Sequence, residues 1–275
     1  MEKNNQRTKS DNESATEFLA LMERYVVEYT NLKKPITEQL MVPEYEVRFG
    51  DHVIQGRVEQ YVPLVTQFFE RFPKLAITVH DVIVNGNRFA MRYSETAREA
   101  KSGAFAVWGG LGLYKWDGSR LTHNVSEQDW DSRERQISSG KPLIVEGAAF
   151  SPWETDMRPL NPVTEAIVRA WLNSGALTTT KGVLVDDEFA GGVPPKILEQ
   201  KTITETDFFS AGDAVAFHIV QHGKLLPDFA PNPRLVGREV SLHLGGIVRV
   251  AQGSVVQGTL IRNKVALAEK LTAIK

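Results

Sequence analysis

The sequence predicts an α+β chain of two tandem cone-shaped units, each a curved antiparallel sheet with helices packed on one face. Helical periodicity opens each half, and alternating strand patterns fill the rest of it. The length of 275 residues suits about two domains of roughly 100–200 residues each. One pattern is also written twice. Asp81 to Tyr93 aligns without gaps on Asp207 to Ile219, each a strand, a turn holding Gly86 or Gly212, and a second strand. Downstream, Gly118-Ser119-Arg120-Leu121 is echoed by Gly253-Ser254-Val255-Val256. Two echoes in the same order point to an internal repeat.

Residues 1–13 are polar, lack the apolar core of a signal peptide, and read as a disordered leader. Ser14 and Glu17 form a capping box that opens a helix with Phe18, Leu21, Met22, Tyr25 and Val26 on one stripe. Tyr45 to Phe49 alternates as a strand, and a second helix runs from about Val58 to Arg71, ended by Phe72-Pro73. Four strands follow: Leu75 to Asp81, Arg88 to Thr96, Ala104 to Trp116 and Leu121 to Asp129. Arg133 to Gln136 reads as a short polar end. The first unit therefore spans residues 14–137. Residues 138–160 hold Pro142, Pro152 and Pro159 and read as a linker. The second unit, 161–275, starts with a helix to Asn173 and a hairpin near Val183 to Phe189. Strands Ile197 to Phe209, Ala214 to Gln221, Arg238 to Val250 and Val255 to Asn263 close it.

Apolar residues make up 42% and charged residues 24% of the chain, with a net charge of −2, which argues against a nucleic-acid partner. The absence of cysteine excludes disulfides, thiolate catalysis and zinc–thiolate sites and suits a cytoplasmic protein. No apolar stretch approaches the ~18 residues of a membrane span. The Gly-Gly pairs at 109–110, 191–192 and 245–246 fit no phosphate-loop pattern, and the first and third read as bulges or bends in strands. No spacing suggests a metal, and no cofactor is expected.

Strand alternation sorts the candidate chemical groups. On the last strand of the first unit, Leu121, His123, Val125, Glu127 and Asp129 share one face, while Thr122, Asn124, Ser126 and Gln128 form a purely polar one. The mixed face is taken as the interior, with Glu127 as a solvated rim group. Phe89, Met91, Tyr93 and Glu95 share a face of the middle strand. A carboxyl in an apolar pocket has a raised pKa and shuttles protons near neutrality, and Tyr or His stabilises a developing enolate oxygen. Asp129, His123, Tyr93 and Glu95 are thus candidates for proton abstraction next to a carbonyl; each alternatively sits at a wet rim or in a buried pair. Met91, Phe89, Tyr25 and Tyr45 are candidate ligand contacts, His52 lies at the pocket mouth, and Trp108 either lines the cavity or packs in the core. His80, His218, His222 and His243 show no partner pattern.

With these residues in place, the first unit resembles the nuclear transport factor 2-like superfamily, and within it the SnoaL-like polyketide cyclase and ester-cyclase branch. The resemblance rests on Glu44 to Phe49, Gly56-Arg57, Phe68 to Pro73, Leu75 to Arg92, Leu113 to Leu121, and Asp129. The second unit matches through its hairpin and last two strands. The resemblance implies a cystatin-like cone around an apolar pocket. It also implies metal- and cofactor-free acid/base catalysis by Asp129, on a medium-sized apolar carbonyl compound, either isomerisation or cyclisation, in a biosynthetic setting. The second unit offers Asn263 or Lys264 at that position and reads as degenerate. The two units are expected to pair as a dimer within one chain. Epoxide hydrolases of the superfamily place a water-activating acid near Glu95. A binding or assembly module without catalysis is the other reading.

Overall fold

The computed structural model describes residues 2–31, 34–155, 157–186 and 194–273. Its architecture is the expected α+β pair of cones. The first unit comprises α1 (Glu2–Val27), α2 (Lys34–Leu40), β1 (Met41–Phe49), β2 (His52–Gln55) and α3 (Val62–Arg71). It continues with β3 (Ala76–Asn85), β4 (Arg88–Arg98), β5 (Phe105–Trp116), β6 (Leu121–Gln128) and α4 (Trp130–Ser139). Its six-stranded sheet has the order β2-β1-β6-β5-β4-β3. The second unit comprises α5 (Pro162–Asn173), β7 (Val183–Val185), β8 (Leu198–Ala211), β9 (Ala214–Leu225), β10 (Glu239–Ala251), β11 (Ser254–Arg262) and α6 (Lys264–Thr272), with sheet order β7-β11-β10-β9-β8.

Several local expectations need correction. No glycine or proline interrupts residues 2–27, and the helix runs from Glu2 through the expected leader, so Ser14 lies inside it rather than capping it. The meanders are antiparallel, but β1 pairs parallel with β6, and β7 pairs parallel with β11 instead of forming a hairpin. Residues 187–189 of that hairpin lie outside the described residues, as do Gly191 and Gly192. Residues 133–136 belong to α4, whose N-cap Asp129 accepts from the Ser132 amide and whose C-cap Gly140 is left-handed.

The second unit repeats the first in strand order and in its irregularities. Val79 pairs with Tyr93 and Asp81 with Arg92, so His80 is an extra residue in β3; Glu205 pairs with Ile219 and Asp207 with His218, so Thr206 is extra in β8. A second bulge makes Thr122 extra in β6 and Val256 extra in β11. By this register Glu95 corresponds to Gln221, and Asp129 to Asn263, each of the latter pair capping the helix that follows the last strand.

Both faces of each sheet are covered. On the inner face of the first, Phe18, Met22, Tyr25, Tyr45, Phe89 and Met91 pack α1 against the strands. On the other face, Ile83, Ala90, Leu111 and Leu113 join Phe209, Ala214, Ala216, Ile247 and Ile261 of the second unit in one apolar layer. Charged contacts across this layer are reciprocal: Arg249 holds Asp81 through two 2.6 Å bonds, and at the equivalent positions Lys115 lies 3.6 Å from Asp207. No helix among the described residues is long and apolar enough to cross a membrane.

Candidate functional site

A cavity of about 490 Å³ opens inside the first cone. Its walls are Tyr25, Tyr29, Tyr61, Phe68, Met91, Tyr93, Tyr114 and Trp130, with Asn124, Ser126 and Gln128 as a polar floor, Arg133 on one side and exposed His52 at the mouth. The face of β6 that borders it is the purely polar one, the reverse of the sequence expectation. The Thr122 bulge breaks the alternation between Leu121, which joins the inner core, and His123, which points away. The outer face is packed against the second unit, so polarity alone does not tell inside from outside.

His123 is exposed and bonds its neighbour Thr122 at 3.0 Å. Asp129 lies outside the cavity, at the junction of the two units. Its carboxylate caps α4 and meets the Lys264 ammonium at 3.0 Å; Lys264 also holds Asp186 at 3.2 Å, and Arg262 donates Nε to Asp186 at 2.9 Å. Burial, with nearby Asp186, pushes the Asp129 carboxyl up, against the opposing pull of Lys264. This buried ion-pair cluster spans the two units. Glu127, expected at a wet rim, is buried and bonds His218 at 2.7 Å.

Tyr93, Met91 and Tyr25 line the cavity as expected. Phe89 and Tyr45 pack in the core behind it, Phe89 against Phe18 and Tyr45 edge-on to Tyr61 at 5.2 Å. Trp108 is wholly buried and works from beneath: its indole N–H donates to Gln128 Oε1 at 3.0 Å, and Trp130 donates to the same oxygen at 2.8 Å. Two indole donors fix the Gln128 amide with its oxygen toward them, so its NH₂ group donates to the Tyr93 hydroxyl at 3.0 Å. That occupies a Tyr93 lone pair and leaves the phenol as a donor, with the Ser126 hydroxyl of the cavity floor beside it. Burial raises the Tyr93 pKa further, so the ring stays a donor.

The Tyr93 ring lies over Gly110, where a Cβ would fall 2.4 Å from Cζ. Gly110 therefore meets a packing requirement, and neither Gly109-Gly110 nor Gly245-Gly246 lies at a bulge. Gly110→Ala is expected to displace Tyr93 and destabilise the fold by about 1–3 kcal/mol, measured by urea unfolding; the Ser126–Asn124 bond on the floor stays intact.

Glu95 is the group the sequence placed best. It is wholly buried on the same face as Met91 and Tyr93, and neither carboxyl oxygen has a hydrogen-bond partner. Burial pushes its pKa up to about 7, against weaker pulls from Tyr29, Arg133 and Trp108, which lie near without closing a bond. It sits behind the cavity wall, and its electrostatic neighbours Tyr29, Tyr93 and Arg133 all belong to that wall. Arg133 is held between the rings of Phe72, Trp108 and Trp130, with Glu134 as its ion partner at 2.8 Å. Sequence reading missed Arg133, Gln128, Ser126 and Asn124; only the displaced alternation of β6 could have exposed the last three.

The second cone has its own cavity of about 520 Å³, bordered by Leu244, Leu260, Gln200, Gln221 and Arg262. Gln221 stands where the first cone has Glu95, so this cavity has no equivalent carboxyl.

No protein-family model and no curated protein sequence matches the chain. Solved structures resemble about half of it. A protein from Jannaschia sp. CCS1 described as a SnoaL-like polyketide cyclase is 18% identical, with a TM-score of 0.43, over 46% of this chain and 94% of that one. TsrD from Streptomyces laurentii is 20% identical, with a TM-score of 0.40, over 45% and 96%. An LEH-like epoxide hydrolase from M. tuberculosis is 13% identical, with a TM-score of 0.40, over 46% and 92%.

Proposed function

We propose that the first cone binds a medium-sized, largely apolar carbonyl compound and catalyses proton transfer next to its carbonyl group. Glu95 is the acid/base, in place of Asp129, and Tyr93 is the oxygen donor, in place of His123. The observation that carries this reading is a buried carboxyl without hydrogen-bond partners behind the wall of an aromatic cavity, its pKa pushed up to about 7 by burial. A volume near 490 Å³ suits a ligand of about drug size. The C–H bond next to the carbonyl breaks and its electron pair moves into the enolate. The oxygen receives the Tyr93 hydrogen bond as charge develops. The proton passes through the Tyr29 hydroxyl, which borders both the cavity and Glu95, to the carboxylate; return of the proton to carbon completes an isomerisation or a cyclisation.

The two units are read as copies from one duplication, paired as a dimer within the chain, with the second copy lacking the acid. A binding-only role has one observation in its favour: Glu95 does not itself touch the cavity. Exchange of deuterium from D₂O into a panel of apolar ketones, followed by NMR, separates the two readings. Catalysis gives protein-dependent exchange at the carbon next to the carbonyl; a carrier gives binding without exchange.

A further inference from the structure

We propose that Glu127, His218 and His243 form a site for one divalent transition-metal ion of the zinc type, held between the two units. The three groups come from both cones: Glu127 from β6, His218 from β9 and His243 from β10. All three are buried, and each brings one ligand atom within 4.8 Å of the others. The imidazole rings of His218 and His243 lie 5.6 Å apart between centroids.

The hydrogen bonds around the cluster leave electron pairs, not protons, facing its centre. His243 Nε2 bonds Asp51 Oδ1 at 3.0 Å. A carboxylate only accepts, so Nε2 carries the proton and Nδ1 carries a lone pair. That Nδ1 is buried and has no hydrogen-bond partner, and neither has Glu127 Oε2. His218 Nδ1 contacts the Thr206 hydroxyl, which already donates to the His218 carbonyl at 2.9 Å, so Nδ1 is the donor there. In the neutral ring, Nε2 then turns its lone pair on Glu127 Oε1 at 2.7 Å. Two imidazole nitrogens and a carboxylate converge with their lone pairs inward, an arrangement that a bound cation satisfies. A proton on His218 serves the first contact but leaves His243 Nδ1 and Glu127 Oε2 unpaired. A metal ion serves all three groups.

The outer contacts are those a metal site requires. A carboxylate holds the far nitrogen of His243, a hydroxyl holds that of His218, and the Gly50 amide donates to Glu127 Oε1 at 3.0 Å. Two nitrogens and one oxygen without thiolate suit zinc, with water completing a tetrahedron. Zinc–ligand distances near 2.0–2.2 Å place its ligands about 3.3 Å apart, so from separations of up to 4.8 Å the cluster draws in by up to about 1.5 Å and Glu127 turns Oε2 inward. The ion lies on the outer face of β6, whose inner face carries the cavity floor, so it fastens that strand to the second unit. No sequence spacing reveals the site, because its members are 91 and 25 residues apart.

The test uses the full chain expressed with added zinc. Elemental analysis is expected to give about one zinc per chain. Chelation should lower the unfolding midpoint by about 5 °C, and zinc alone should restore it. Glu127→Gln and His243→Gln should each weaken zinc binding by at least about 100-fold, and Asp51→Asn by about 10–100-fold. His222→Gln, outside the cluster, should leave it unchanged. Should the variants fold poorly, anomalous scattering at the zinc edge from wild-type crystals locates the ion. A density peak between the three side chains supports the site. A zinc content below about one tenth per chain, undiminished binding in folded His243→Gln, or a peak elsewhere overturns it.

Discussion

Glu95→Gln is expected to lower ketone deuterium exchange in the first cone by about 10²–10⁴-fold, the range for loss of a general base. The substitution keeps the shape of the side chain and removes only its proton chemistry. Tyr29→Phe should lose most of the same activity, because the relay hydroxyl is gone, while ketone affinity holds within a few fold. The pH profile carries a second signature. With Glu95 as base, exchange should rise through a midpoint near 7, and the variant should show no such rise. The same burial makes a stability prediction. The folded pKa lies above the ordinary value of 4.5, so between the two values the folded chain binds the extra proton. The stabilisation is therefore present below about pH 4.5 and is lost as pH rises through about 7, amounting to about 3 kcal/mol. Urea unfolding at pH 5 and pH 8 should show that loss in the wild type relative to Glu95→Gln. Equal pH dependence in both proteins would remove Glu95 from this role.

Glu95 was legible because the register of β4 from Phe89 through Glu95 is unbroken, so an acid in phase with Met91 and Tyr93 had to face inward. The repeat was legible for the same reason: Asp81 to Tyr93 and Asp207 to Ile219 lie downstream of the bulges at His80 and Thr206, in regular pairing. Asp129 was not legible. Thr122 shifts the phase of β6, and a carboxylate at the end of a strand is also the natural N-cap of the next helix, the role it takes here. Its partner Lys264 is distant in sequence. His218 and His243 lacked visible partners for the same reason, since Glu127 and Asp51 belong to the other unit. Sequence alternation assumes one wet face; a sheet covered on both sides gives none.

Lys264→Ala is expected to cost about 3–5 kcal/mol, the usual penalty for stranding buried charge. Lys264 is buried between Asp129 and Asp186 and lies 3.6 Å from Asp131. Its removal leaves Arg262 to serve Asp186 and takes away the Asp129 ion partner. Adding Asp129→Asn to the Lys264→Ala chain should recover part of the loss. Asparagine keeps the cap, as Asn263 does in the second unit, and carries no charge to strand. Chemical denaturation of the wild type, both single variants and the double variant measures the coupling directly. A cost below about 1 kcal/mol for Lys264→Ala would show that the cluster is solvated and does not hold the units together. Asp129→Asn alone should lower stability and leave exchange per folded molecule unchanged, which separates a joint between units from a catalytic base.

The claim that Glu95 is the proton-carrying group of the first cone is tested most directly by carbon NMR of the chain labelled at the glutamate carboxyl carbon, titrated with and without a bound apolar ketone. One glutamate signal, absent from Glu95→Gln, should titrate with a midpoint near 7 and shift when the ketone occupies the cavity. A midpoint near 4.5, the ordinary value, or a signal indifferent to the ketone, would contradict it.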